Sequence, residues 1–185
     1  RDHTLHIAPS GLVTITGGKW TTYRKLAEDT IDQAATLAGL PARPSPTQLL
    51  GIHGAHASAQ AFGDLKNSGS AAPGIQALAR EAASLGEPLH ARRRTIAAQV
   101  VWAARYEMAR PVEDVLSRRT RELLLDAQAS IEMAPRVAAL LAAELGGPEN
   151  GYDEAWQIAQ VEAYEALARD YLIVGGTLKV GTGDA

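Results

Sequence analysis

The first seventeen residues alternate and the rest mostly do not. Thr4-Leu5-His6-Ile7-Ala8 steps between polar and apolar positions, as a half-buried strand does. Pro9-Ser10-Gly11 is a turn signal, and Leu12-Val13-Thr14-Ile15-Thr16 is a second strand-like run rich in β-branched residues. The two runs predict a hairpin. Gly17-Gly18-Lys19-Trp20-Thr21-Thr22 then leads into a helical pattern, with Tyr23, Leu26, Ala27, Thr30, Ile31 and Ala34 at three- and four-residue steps. Gly39 suits a C-cap, and Pro41 bars continuation. Residues 1–40 therefore read as strand, turn, strand, glycine turn, helix.

Residues 41–74 are dense in Gly and Pro and read as a linker, with one short helix around His56–Phe62. From Ile75 the period is helical. The pattern predicts helices over Ile75–Leu85, Thr95–Ala109, Pro111 to beyond Leu123, Ser130–Leu145 and about 154–170, with Asp153 capping the last. Glu113 and Asp114 follow Pro111 in a first turn, where the helix dipole favours acidic side chains. Pro135 is tolerated near a helix start and marks a kink otherwise. The expected fold class is mainly α: a domain of about five to six helices over 75–185, with a disordered tail from about 175, preceded by a short hairpin and a helix.

Composition sharpens this picture. Alanine supplies 35 of the 185 residues, which favours closely packed helices. The formal charge of -3 argues against a nucleic-acid binder, whose domains usually have a pI above about 9. There is no cysteine, which excludes disulfides, thiolate metal sites and a cysteine nucleophile. No apolar run approaches the roughly 20 residues of a membrane helix. The chain opens on Arg1-Asp2-His3 without Met or a signal-peptide pattern and is read as a piece of a longer protein.

Chemistry concentrates at the glycine turn. Two glycines remove the Cβ atoms that would keep a ligand from the backbone. The amides that follow, at the positive end of a helix, stabilise negative charge. Lys19 adds a full positive charge, and Thr21 and Thr22 can cap or donate. The spacing is not that of a Walker loop, and on spacing alone the same residues also make a tight strand-to-helix turn with a solvated lysine.

These residues carry a resemblance. Arg1-Asp2-His3-Thr4-Leu5, followed by Val13-Thr14-Ile15-Thr16-Gly17-Gly18-Lys19-Trp20-Thr21-Thr22-Tyr23-Arg24-Lys25-Leu26-Ala27-Glu28, resembles the closing segment of the FAD domain in FAD-dependent, quinone-linked glycerol-3-phosphate dehydrogenases. Val112-Glu113-Asp114-Val115-Leu116-Ser117-Arg118-Arg119-Thr120-Arg121 is similar to a helix signature of that family's C-terminal domain. The resemblance implies that residues 1–40 complete an FAD-binding domain and that Gly17, Gly18, Lys19, Trp20 and Thr21 contact FAD at the pyrimidine end of the flavin. Trp20 stands where relatives often carry Leu. Arg1 would face the substrate, glycerol 3-phosphate, and no catalytic residue and no metal ligand falls in this chain. No G-x-G-x-x-G follows a first strand, so the dinucleotide fingerprint and the remaining substrate residues belong upstream. The implied partners are the upstream FAD and substrate domains of the same parent chain, with glycerol 3-phosphate and quinone as reactants of the parent. No nucleic acid is implied, and a homo-oligomer is compatible with the reading. The parent would be cytoplasmic and peripheral on the inner face of the membrane. The isolated chain would hold little or no FAD and have no dehydrogenase activity.

Other features read more plainly. His53 and His56 lack a nearby acidic ligand and read as loop histidines. Arg92-Arg93-Arg94 is open to phosphate or acidic-lipid binding, and in a chain of net negative charge reads first as a solvated helix start or as partners of acidic groups. Arg118, Arg119 and Arg121 are placed on one helix as surface pairs, or with one arginine turned inward to tie this domain to the flavin domain. Trp102, Tyr106, Trp156, Tyr164 and Tyr171 read as core or rim packing. Two rivals stand beside the dehydrogenase reading: a non-catalytic helical interaction module, whose first 40 residues would pack fully against its helices, and a related oxidase that passes electrons to oxygen.

Overall fold

A computed structural model describes residues 2–173. The chain is mainly helical and divides into two compact units, Arg1–His53 and Gly54–Ala185. Arg1 and the tail beyond residue 173 lie outside the described residues.

In the first unit, β1 (His3–Ile7) and β2 (Val13–Gly17) form an antiparallel two-stranded sheet. The register pairs His3 with Gly17, Leu5 with Ile15 and Ile7 with Val13. The two apolar pairs thus share one face, as alternation demands. A 3₁₀ turn (Trp20–Thr22) leads into α1 (Tyr23–Leu37). The half-buried positions of this unit include Leu5, Val13, Ile15, Leu26 and Thr30, and no residue from 2 to 53 is buried.

The second unit begins earlier than its glycines suggest. Residues 59–71, which the sequence assigns to a linker, form consecutive 3₁₀ turns interrupted at Gly63 and Gly69, and Leu65 and Ala71 are buried. α2 (Ala72–Glu81) and α3 (Ala83–Gly86) follow, separated at Ala82, whose backbone is extended. The pattern over Ile75–Leu85 is therefore two helices, not one. α4 (Ala97–Tyr106) is alanine-rich, and its Ala97, Ala98, Val100, Val101, Ala103 and Ala104 are all buried. It serves two apolar clusters. Ala98 and Val101 pack with Leu65, Ile75 and Leu78, while Val100 and Ala103 pack with Val115, Leu116, Met133, Val137, Leu141 and Tyr164. Small residues let the helices approach: a Cβ on Gly74 would come within 2.2 Å of the Trp102 ring.

The helix expected through Val112–Leu123 is broken. Asp114–Arg119 winds as a single π-helical turn, Arg121 takes a left-handed backbone (φ 60°, ψ 22°), and α5 (Glu122–Leu125) starts afresh. Arg118 and Arg121 therefore do not share a helix face. α6 (Ala127–Glu144) begins on the Asp126 cap and keeps Pro135 in its interior, which leaves the Ile131 carbonyl without its helical donor. It ends before Gly146 and Gly147, both at positive φ. α7 (Glu154–Arg169) starts where the Asp153 carboxylate accepts from the Trp156 amide at 2.9 Å. Tyr164 of α7 is buried and donates to Ser130 Oγ of α6 at 2.9 Å. Tyr106 and Tyr171 are exposed.

Candidate functional site

The glycine turn is built from β2 and the 3₁₀ turn that opens α1. Gly17 and Gly18 both have left-handed backbones, with φ of 80° and 83°. A Cβ on Gly18 would stand 3.0 Å from Leu26 Cδ2, and one on Gly17 would stand 3.1 Å from the Asp2 carbonyl oxygen. Glycine is thus required twice over, by conformation and by space. The Lys19 amide donates to Thr22 Oγ1 at 3.2 Å, and that hydroxyl donates back to the Lys19 carbonyl at 2.9 Å. This reciprocal pair fixes the turn and consumes Thr22. The amides of Gly18, Trp20 and Thr21 have no internal acceptor among the described residues. Gly17, Gly18, Lys19, Trp20 and Thr21 are all exposed, and Lys19 makes no ion pair among the described residues. Trp20 is 87% exposed and stacks on Tyr23 with ring centroids 5.8 Å apart. The five predicted cofactor contacts therefore come together on one open turn with unspent donors and an uncompensated ammonium.

Behind the turn, α1 neutralises its own acids. Glu28 accepts from Arg24 and from Lys25 at 3.0 Å, and Asp29 meets Lys25 at 2.7 Å and His3 Nε2 at 2.9 Å. The Arg24 guanidinium, with Lys25, holds the Glu28 carboxyl below the usual range. Lys25 does the same for Asp29, and both carboxylates raise Lys25 in return. Asp32 lies close to this pair and is exposed, while the paired Glu28 and Asp29 are half-buried. These pairs leave Lys19 as the positive charge of the turn itself.

The arginines do something that local sequence does not reveal. Arg92, Arg93, Arg94, Arg118, Arg119 and Arg121 line one cavity of about 530 Å³ in the second unit. Glu122, buried at 2% exposure, accepts from Arg93 Nε at 2.5 Å and from the Thr95 hydroxyl. Arg118 meets Glu113 at 2.6 Å and Asp114 at 3.1 Å, so the expected surface pairing does occur there. The gathering joins segments nearly 30 residues apart in sequence, which no spacing rule could signal. His53 and His56 are both exposed.

A family model described as the C-terminal domain of alpha-glycerophosphate oxidase matches residues 12–150. The chain belongs to this family. The match takes in the turn residues Gly17–Thr21 and the arginine stretch Val112–Arg121. Among curated relatives, the mitochondrial glycerol-3-phosphate dehydrogenase SDP6 of Arabidopsis thaliana is 34% identical over 175 residues, covering 78% of this chain and 28% of the relative. The mitochondrial glycerol-3-phosphate dehydrogenase of Mus musculus is 33% identical over 171 residues, covering 80% and 23%. That of Bos taurus is 32% identical over 186 residues, covering 89% and 25%. The chain spans about a quarter of the length of these relatives. The stretch it shares with these relatives is one part of their longer chains.

Proposed function

We propose that this chain is the C-terminal part of an FAD-dependent glycerol-3-phosphate dehydrogenase. Its Gly17-Gly18-Lys19-Trp20-Thr21 turn would lie against the pyrimidine end of the flavin. The observation that carries the reading is the first unit itself. It has no buried residue between 2 and 53, yet its sequence fixes a precise hairpin, glycine turn and helix. Leu49, at 97% exposure, and Ile52, at 70%, are left open on it. A unit of this kind is completed by apolar partners, which the upstream flavin domain of the parent would provide. A self-sufficient interaction module would instead bury its first 40 residues.

The turn suits the group. Three amides without an acceptor and a lysine without an ion pair, among the described residues, lie on one exposed turn where glycines leave the backbone bare, which suits an anionic ring edge. Bound FAD would accept the hydride from glycerol 3-phosphate, giving dihydroxyacetone phosphate. Lys19 would hold its ammonium beside the electron-rich edge and favour the charged, reduced form. The left-handed backbones of Gly17 and Gly18 would aim the following amides at the same edge. Arg1, in the R-D-x-T-L stretch, would grip the substrate with a bidentate guanidinium. Quinone would take the electrons, with the parent cytoplasmic and seated on the inner membrane face. Oxygen is the alternative acceptor, and the oxidase in the matching family's description favours keeping it in the assay.

In the full-length enzyme, Lys19→Ala should lower flavin content or slow flavin reduction by at least about tenfold, the weight of roughly 1.4 kcal/mol of lost stabilisation. Unchanged flavin content together with an unchanged reduction rate refutes the assignment. Arg1→Ala should raise KM for glycerol 3-phosphate far more than it alters flavin content. Assaying turnover with ubiquinone and with oxygen decides the acceptor.

A further inference from the structure

The arginine cavity of the second unit has more positive charge than the fold uses. Its lining sets six guanidinium groups against two carboxylates, Asp64 and Glu122. Three of the arginines are occupied. Arg93 is held by Glu122, Arg118 by Glu113 and Asp114, and Arg119 by Asp114 at 3.1 Å and by the Glu107 carbonyl at 2.6 Å. Arg92 comes only within 3.6 Å of Asp126, beyond hydrogen-bond length. Arg94 and Arg121 make no ion pair or side-chain hydrogen bond among the described residues, and both are exposed. Their donors face no competitor.

We propose that this cavity is a binding site for a phosphate-bearing small molecule, gripped by Arg92, Arg94 and Arg121. Guanidinium groups stay charged at every physiological pH and match the oxygens of phosphate in pairs. Carboxylates offset four of the six, and an anion would offset the charge left on Arg94 and Arg121. The volume exceeds a lone phosphate and accommodates a phosphate ester or a diphosphate. No aromatic side chain lines the cavity, so nothing there offers a face for stacking a nucleobase. Two of the three hydroxyls in the lining are spent elsewhere: Thr95 donates to Glu122, and Thr120 donates to the Val115 carbonyl at 2.8 Å, which leaves Ser68 as a neutral donor beside the arginines. Recognition then falls chiefly to arginine charge.

The geometry at Arg121 supports the same reading. A non-glycine residue held at φ 60° costs about 1 kcal/mol or more, and such outliers gather at ligand clamps. The π-helical turn just before it, Asp114–Arg119, is likewise a form that recurs at functional sites. Together they carry Arg121 across from the π turn to the wall shared with Arg92–Arg94.

The test is calorimetric titration of the 185-residue chain with inorganic pyrophosphate at low salt, with a thermal-shift series alongside. Saturable binding is expected with Kd at or below about 1 mM, weakening as salt is raised. Arg94→Ala combined with Arg121→Gly should weaken it at least tenfold, with the far-UV spectrum unchanged, since neither side chain has an internal partner and glycine accepts the left-handed backbone. Arg80→Ala, an exposed arginine outside the cavity, should leave the affinity as it is. Failure to saturate by about 10 mM overturns the proposal, as does equal loss in the Arg80→Ala control or full retention in the double variant. A parallel arm uses phosphatidic acid vesicles. Binding to vesicles with none to pyrophosphate would assign a lipid headgroup and overturn the soluble ligand. Capture by polyglutamate with no response to pyrophosphate would overturn it in favour of an acidic peptide.

Discussion

The carboxylate of Glu122 lies 2.5 Å from Arg93 Nε and is buried at 2% exposure, although the two residues are 29 positions apart. The Thr95 hydroxyl donates to the other carboxylate oxygen. One side chain at the start of α5 thus fastens the whole segment that precedes α4. It also fixes one wall of the arginine cavity. Arg93 is partly exposed, so the pair is neither a surface bridge nor a fully buried one.

Removing that carboxylate should be costly. Glu122→Ala leaves a guanidinium and a hydroxyl unpartnered in a confined space, and should lower stability by about 2–3 kcal/mol, less than a fully buried pair because Arg93 reaches solvent. Glu122→Gln keeps one acceptor oxygen for Arg93 and puts an NH2 donor opposite the Thr95 hydroxyl, which can accept instead, so it should cost less. Urea unfolding of the two variants checks the order, and equal stability of Glu122→Ala and the parent chain would remove Glu122 from this role.

Tyr164 gives the chain an alkaline limit. Burial pushes its phenol above the usual tyrosine range, and the nearby Glu122 and Glu113 charges push the same way. The folded state favours the neutral form, so this stability is fully present below pH about 10 and is lost as pH rises through the raised folded value. Tyr164→Phe should lower stability by about 1 kcal/mol at neutral pH, through the lost bond to Ser130. It should also flatten the decline above pH 10. A Tm series from pH 7 to about 11 reads both effects, and parallel curves would show that Tyr164 titrates normally.

Which of these features could be read from sequence follows from their range. The hairpin was legible, because alternation acts between nearest neighbours, whereas its register, with Leu5 opposite Ile15, came from the structure. So was the cap at Asp153, and so was the stop at Gly146-Gly147. The break at Arg121 was not, since arginine carries no preference for positive φ and only the surrounding structure imposes it. Residues 54–74 misled for a related reason. Gly63 and Gly69 do interrupt the backbone there, yet the turns between them still bury Leu65. The turn residues 17–21 were legible as a group because they are contiguous, whereas the arginine cavity joins Arg92–Arg94 to Arg118–Arg121 through tertiary packing alone.

The cap on α7 is open to a direct check. Asp153→Ala removes the acceptor for the Trp156 amide and leaves a first-turn donor unsatisfied. The expected loss is about 1 kcal/mol, and Asp153→Asn should restore most of it, because an amide oxygen caps as well as a carboxylate. Equal losses in Asp153→Asn and Asp153→Ala would mean that charge at the helix start, not the hydrogen bond, is what counts.

The two units should differ sharply when separated. Among the described residues, all 26 buried hydrophobic positions, from Leu65 to Ala168, lie in the second unit, and the first has none. Hydrophobic burial is the main favourable term in folding and stands against a conformational entropy cost of about 1–2 kcal/mol per residue. Residues 54–185 should therefore unfold in one cooperative transition with a helical far-UV spectrum. Residues 1–53 alone should show no cooperative transition, because the hairpin and α1 shield one another without enclosing an interior. Adding the upstream part of the parent in trans should restore protection to amide exchange in Leu5, Val13, Ile15 and Leu26, the half-buried positions that face each other across β1, β2 and α1. A cooperative transition for residues 1–53 by themselves would show that this unit needs no partner, and would take away the observation on which the flavoprotein reading rests.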